Sequence, residues 1–416
     1  MMNPKGGLNV ICHKEEEIGK TNHEGGERIS RRRFLWQAGM ATAGLMLSGC
    51  GRILAPATAT PTIAAPARNG LAKVGTARVD RYDKALVRDA LGTIFDSVGG
   101  LGDVIGLGDK VAIKTNVTGG SMQRLGNLPG IETIFTHPVV VEVVAELIID
   151  AGAGEVYIVE AIYDEGSWDL GFRDIAERLG ATLVDLNRPE PYDSLSTDPV
   201  GEGWYIYESF YCNRVLNEVD ALVSVSKMKG HGEAGVTHTI KNMVGSVPWP
   251  FYELKRPELR GYRSEFHGTG DETKARLPRV IIDLNRAHPV AIGVVDGIKT
   301  MEGGEGPWIE GVRAIQPGVL IAGKSPLAVD AVATGIMGFD PTAEYPDPPF
   351  LHCDNHLNLA REMGFGTNRL EEIEVVGPSI DELVTPFKTV QAPRPGAVAS
   401  AMCPRARAMR RAMRAA

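Results

Sequence analysis

The sequence predicts an α/β fold, a largely parallel sheet flanked by helices and arranged as two lobes around a cleft. Three observations carry this reading. Short apolar runs alternate with longer segments of helical period from about residue 110 to residue 376. Several of those runs end in polar or charged residues, as strands do where they reach a crevice. The longest glycine-rich stretch of the body follows directly on one such run. The lobes are expected at 73–200 and 201–378.

The elements follow in order. Residues 1–50 read as an export leader. Arg31 and Arg32, followed by Phe34 and Leu35, form a twin-arginine signal. Trp36–Leu47 is an apolar run too short to span a bilayer. Leu47-Ser48-Gly49-Cys50 resembles a lipobox, so Cys50 is expected to carry a lipid after cleavage. That places the chain outside the cytoplasm, on the outer face of the membrane or in the cell envelope, after passage through the twin-arginine export machinery. Residues 51–72 are rich in Ala, Pro and Thr and read as a tether.

Within 73–378, Lys110–Asn116 reads as a buried strand. His137–Ala151 reads as a helix, with Pro138 in its first turn and Gly152 past its end. Strands are expected at Glu155–Ala161, Ala181–Leu186, Val219–Lys227, Val290–Asp296, Val319–Ala322 and Glu372–Val376. Helices are expected at Phe172–Leu179, Leu277–Arg286, Pro326–Met337 and Leu351–Met363. Residues 379–416 form an extension. Its tail, Gln391–Ala416, carries Arg405, Arg407, Arg410, Arg411 and Arg414 and could lie on anionic lipid or stay solvated.

The formal net charge is −8. Without the leader, 37 basic residues face 47 acidic ones, which argues against nucleic acid as the general partner. No two of the five cysteines stand in a C-x-x-C spacing, so neither an iron–sulfur cluster nor a zinc ribbon is expected. Cys212 and Cys353 read as single buried thiols, with a disulfide as the alternative.

The densest chemical signal is Ser226–Gly245, S-K-M-K-G-H-G-E-A-G-V-T-H-T-I-K-N-M-V-G. If the strand continues, Lys227 and Lys229 share a face. A helix starting near Val236 would put Thr237 with Lys241, and His238 with Asn242. Gly230 and Gly235 have P-loop spacing, but Val236 stands where the phosphate-binding lysine belongs, which argues against a nucleoside triphosphate. The set suits a small carboxylate or phosphate. Lys229, Lys241 and His231 are the candidate catalytic residues, His231 as general acid or base. Lys114, Asn116, Lys227, Thr237 and Asn242 are the candidate binding residues. Glu160, Asp296 and Glu302 would suit a divalent metal such as magnesium.

In this order, the K-x-K-x-H segment (Lys227, Lys229, His231) and the T-x-x-x-K-N-x-x-G segment (Thr237, Lys241, Asn242, Gly245) resemble domain-of-unknown-function family 362. V-V-D-G-I at Val294–Ile298, the Glu302–Pro307 run and P-L-A-V-D at Pro326–Asp330 add to the likeness. The resemblance covers roughly Lys73–Val376. It implies that the Lys/His/Asn segment is the functional core, and names no substrate. Many similar chains carry ferredoxin-type four-cysteine runs, which this chain lacks. Three functions follow from the whole reading: a membrane-tethered enzyme acting on a small anion, a solute-binding lipoprotein, or an accessory of a membrane redox complex.

Overall fold

Residues 71–253 and 264–390 are described by a computed structural model. The twin-arginine motif, Cys50, the tether and the basic tail lie outside the described residues. Eight strands form one sheet: β1 (Ala72–Arg78), β2 (Lys110–Lys114), β3 (Glu155–Glu160), β4 (Thr182–Asp185), β5 (Ala221–Lys227), β6 (Ile292–Gly297), β7 (Val319–Gly323) and β8 (Ile373–Val376). Their order is β8-β1-β7-β6-β5-β2-β3-β4. Every neighbouring pair is parallel except the two that β7 makes, with β1 and with β6. The expected largely parallel α/β sheet is therefore what forms.

Strand alternation sorts side chains onto two cores. Val111, Ile113, Val223, Val225, Ile292 and Val294 meet α1 (Lys84–Ser97), α2 (Pro138–Asp150) and α3 (Phe172–Leu179) on one face. Ala112, Leu222, Val295 and Ile321 meet α4 (Arg276–Ala287), α5 (Pro326–Ile336) and α6 (His356–Glu362) on the other. Each fully buried Val, Leu or Ile contributes about 1.5–3 kcal/mol relative to exposure. The nearly continuous apolar strands suit a sheet covered on both sides.

Side-chain caps set the helix starts. Asp83 accepts a hydrogen bond from the Leu86 amide, and His137 Nδ1 accepts one from Val139 beside Pro138. Asn355 accepts from the Leu357 and Asn358 amides, so α6 begins at His356 instead of Leu351.

The sheet has no break at residue 200. Strands from both sides of it are joined, and β1 lies between β7 and β8. Ordered packing continues past Pro378: the Thr385 and Phe387 amides donate to the Ile336 and Met337 carbonyls at the end of α5. Cys212 and Cys353 are separate buried thiols. Among the described residues, no helix is long and apolar enough to cross a membrane.

Candidate functional site

The carboxyl ends of β2, β3, β5 and β6 hold four buried or partly buried lysines in two electrostatic classes. Two of them are neutralised by carboxylates. Lys114, the last residue of β2, lies 2.7 Å from Glu160 at the end of β3, and both are almost fully buried. Burial pulls each toward its neutral form. The ion pair, together with Val117 and Ala161 amides donating to Glu160, opposes that pull.

Lys227 ends β5 and lies 2.8 Å from Asp296 on the neighbouring β6, both with side chains 0% exposed. They continue the faces of Val225 and Val294 by strand alternation. Tyr82 closes this group. Its hydroxyl contacts Lys227 and Asp296, and its ring stacks on His137 at 3.7 Å. Asp296 also accepts from the His137 and Ile298 amides. Burial and then the Asp296 charge push the Tyr82 phenol well above its ordinary range. Burial likewise takes the His137 imidazole down to about 4.

The other two lysines have no such partner among the described residues. Lys229–His231 pairs antiparallel with Gly235–Thr237, with Lys229 opposite Thr237 and His231 opposite Gly235. Lys229, His231 and Thr237 thus share one face of a hairpin. Gly235 sits at φ +71°, where a Cβ would strike the Phe350 ring at 2.4 Å, so the turn requires glycine. Lys229 Nζ donates to the Ile134 carbonyl at 3.0 Å and pairs with no carboxylate among the described residues. Burial, then repulsion from Lys241, takes its ammonium down to about 7. Lys241 forms no hydrogen bond or ion pair among the described residues; loss of solvation takes it down to about 8, with Glu305 opposing. Glu305 itself accepts from the Gly232 amide and the Trp308 indole, both at 3.3 Å.

Buried acceptors and donors nearby are also unfilled. Among the described residues, Thr237 Oγ1, Thr115 Oγ1 and Asn116 Oδ1 have no hydrogen-bond partner. Asn116 donates to Asn242, which donates to the Lys114 carbonyl and Ser224 Oγ and so ties the segment to β2 and β5. His231 Nδ1 accepts from the Glu233 amide at 3.0 Å. Burial, then Lys241, holds this ring well below its ordinary pKa, so it is neutral with its proton on Nε2. It presents a donor, not a base.

Several expectations are corrected here. No helix starts near Val236. Gly230 and the β-branched Val236 and Thr237 build the hairpin, and a 3-10 turn at Lys241–Ser246 follows. Thr237 and Lys241 are therefore not on one helix face, nor are His238 and Asn242. The Gly230–Gly235 spacing closes this hairpin in place of a phosphate loop. Asp330 of α5 accepts from the Thr239 and Ile240 amides and the Thr239 hydroxyl, a structural role. β5 ends at Lys227, so Lys227 and Lys229 diverge to different partners.

The metal trio does not assemble. Glu160 and Asp296 are bound to lysines, and Glu302 pairs with Arg313 and accepts from the Lys388 amide. Among the described residues the one cluster with metal-ligand spacing is Asp198, Cys212 and His288. Sequence reasoning missed Tyr82 and Thr115. The only signal for Tyr82 was the capping Asp83 beside it.

Gly245 passes close to the Lys114–Glu160 pair; a Cβ there would lie 2.7 Å from Glu160 Oε1 and 3.0 Å from Lys114 Nζ. Gly245→Ala is expected to cost roughly 1–3 kcal/mol by overpacking. Urea unfolding reads this; an unchanged midpoint would show that the pair shifts freely.

A curated relative, the thylakoid-associated protein sll1697 of Synechocystis, is 24% identical over 321 residues, covering 76% of this chain and 89% of that protein. Two solved structures are more distant. A crystal structure of a Thermotoga maritima protein has 14% identity and a TM-score of 0.29, covering 54% of this chain and 52% of its own. The lactate racemase apoprotein from Thermoanaerobacterium thermosaccharolyticum has 14% identity and a TM-score of 0.33, covering 59% and 54%. The chain spans about half the length of each of these two. Residues 111–335, more than half of the chain, match the family described as Domain of unknown function (DUF362), and the chain belongs to that family.

Proposed function

We propose that this protein is an enzyme that binds a small carboxylate or phosphate between Lys229, Lys241 and Thr237 and acts on it there. One contrast carries the reading: Lys114 and Lys227 are paired with carboxylates, whereas among the described residues Lys229 and Lys241 are not. Burying an ammonium without an anion is costly, and a ligand that supplies the anion recovers that cost. Thr237 Oγ1 offers an unfilled hydrogen bond on the same face.

The chemistry assigned to the residues follows from their protonation. Lys241 anchors the anion. Lys229, near pKa 7, exchanges a proton at neutral pH more readily than His231, which is held neutral. His231 orients the ligand through Nε2–H. A pair of lobes closing on a solute finds no support in a sheet that runs unbroken past residue 200.

Calorimetric titration with inorganic phosphate and with acetate tests this reading. Lys229 loses its proton at about pH 7 and Lys241 at about pH 8, so affinity is expected to fall as pH rises, most steeply across those values. Affinity that rises with pH for both anions, or no binding of either at about pH 6, would overturn it.

A further inference from the structure

A second cluster lies at the other end of the sheet. Asp198 is on Ser196–Pro199 and Cys212 on Ser209–Cys212, two antiparallel strands that pair Ser196 with Cys212. His288 caps the carboxyl end of α4. Cys212 leads toward the start of β5 and His288 toward the start of β6, whereas the lysine site lies at the ends of those strands. β5 alone spans seven residues, roughly 20 Å.

His288 Nε2 lies 3.0 Å from Asp198 Oδ2 and 3.3 Å from Cys212 Sγ, and all three side chains are buried. The single Nε2 position faces two acceptors. Asp198 Oδ2 faces Nε2, Asn217 donates to the other carboxylate oxygen, Oδ1, at 2.5 Å, and His288 Nδ1 has no hydrogen-bond partner among the described residues. In a tetrahedral zinc shell, bond lengths of about 2.0–2.3 Å separate a nitrogen and an oxygen by about 3.3 Å, and a nitrogen and a sulfur by about 3.5 Å. The two separations from Nε2 are within a few tenths of an ångström of these, and all three ligand atoms lie within 4.8 Å of one another.

We propose that Asp198, Cys212 and His288 form a zinc-class metal site that fastens the 196–212 hairpin to the end of α4. Sulfur, imidazole and carboxylate together suit a borderline cation such as zinc in preference to magnesium. A dication with one thiolate, one carboxylate and a neutral imidazole sums to zero charge, which suits a buried place. Binding breaks the Cys212 S–H bond and forms a metal–sulfur bond, the proton passing to solvent, with no change of oxidation state. Nε2 then bears the metal and Nδ1 the ring proton. Three protein ligands leave the fourth position to water.

The test is titration of the chelator-treated full chain with Co2+, followed by absorbance. The expected result is one equivalent bound, a thiolate-to-cobalt charge-transfer band, and displacement by Zn2+. Cys212→Ser should remove the band and Cys353→Ser should keep it. Loss of a ligand should weaken binding beyond the roughly 100-fold that even an outer-shell change can cause. If Cys212→Ser fails to fold, the isosteric Asp198→Asn carries the test through its affinity. The proposal is overturned by a wild-type chain without the band, by a band that survives in folded Cys212→Ser, or by full affinity in Asp198→Asn.

Discussion

Lys229→Met is expected to abolish binding of phosphate and acetate while making the protein more stable at neutral and acidic pH. Methionine is one atom shorter, keeps the unbranched apolar stem and removes an ammonium that is 2% exposed and that, among the described residues, meets only a carbonyl. The folded-state value near 7 lies well below the ordinary lysine value of 10.5. Between those values the unfolded chain holds a proton that the folded chain has lost. Wild-type stability therefore rises with pH across this window, and the Met variant lacks that rise. The gain from substitution is largest below about pH 7, roughly 2–4 kcal/mol, and fades toward pH 10.5. Urea unfolding at about pH 6 and about pH 9, beside calorimetry with phosphate, checks both halves. A variant less stable than wild type at pH 6 would contradict the argument.

Asp296→Asn is expected to act in the opposite direction, lowering stability by roughly 3–5 kcal/mol. Asp296 accepts from Lys227, Tyr82 and the amides of His137 and Ile298. Asparagine removes the charge that holds Lys227 and turns a donor toward groups that are themselves donors. Adding Lys227→Met to Asp296→Asn should restore part of the loss, since no uncompensated charge remains. A double-mutant cycle by urea unfolding reads the coupling. A loss under about 1 kcal/mol for Asp296→Asn would show that Lys227 is not charged in the fold.

Much of the sheet was legible because its strands are β-branched runs with no competing pattern. Val223, Val225, Val294 and Val295 are of this kind. The reversed direction of β7 was legible in principle. No helical pattern lies between Gly297 and Val319, and a parallel return would need a crossover. The chemical identity of the Lys229–Lys241 segment could be read from its residue types, but its shape could not. Whether Gly230 and Gly235 open a helix or close a hairpin depends on Phe350 and Val390, far along the chain. The acids misled for a related reason. Glu160, Asp296 and Glu302 look like metal ligands until Lys114, Lys227 and Arg313 are placed beside them, and no local spacing encodes those pairings. Asp198, Cys212 and His288 are likewise scattered over 90 positions.

The placement of β1 between β7 and β8 has a consequence for how the chain is made. Thr76 on β1 donates to the Pro378 carbonyl, 302 positions later, and every neighbour of β1 in the sheet comes from residues beyond 318. During synthesis at about 5–20 residues per second, β2 to β4 can pair while β1 waits with both edges bare. Such late, long-range closure is slow and leaves an exposed strand in the meantime. A chain cut short before Ile373 would never cover the second edge of β1, so ribosomal stalling before that residue yields a species prone to edge-to-edge association.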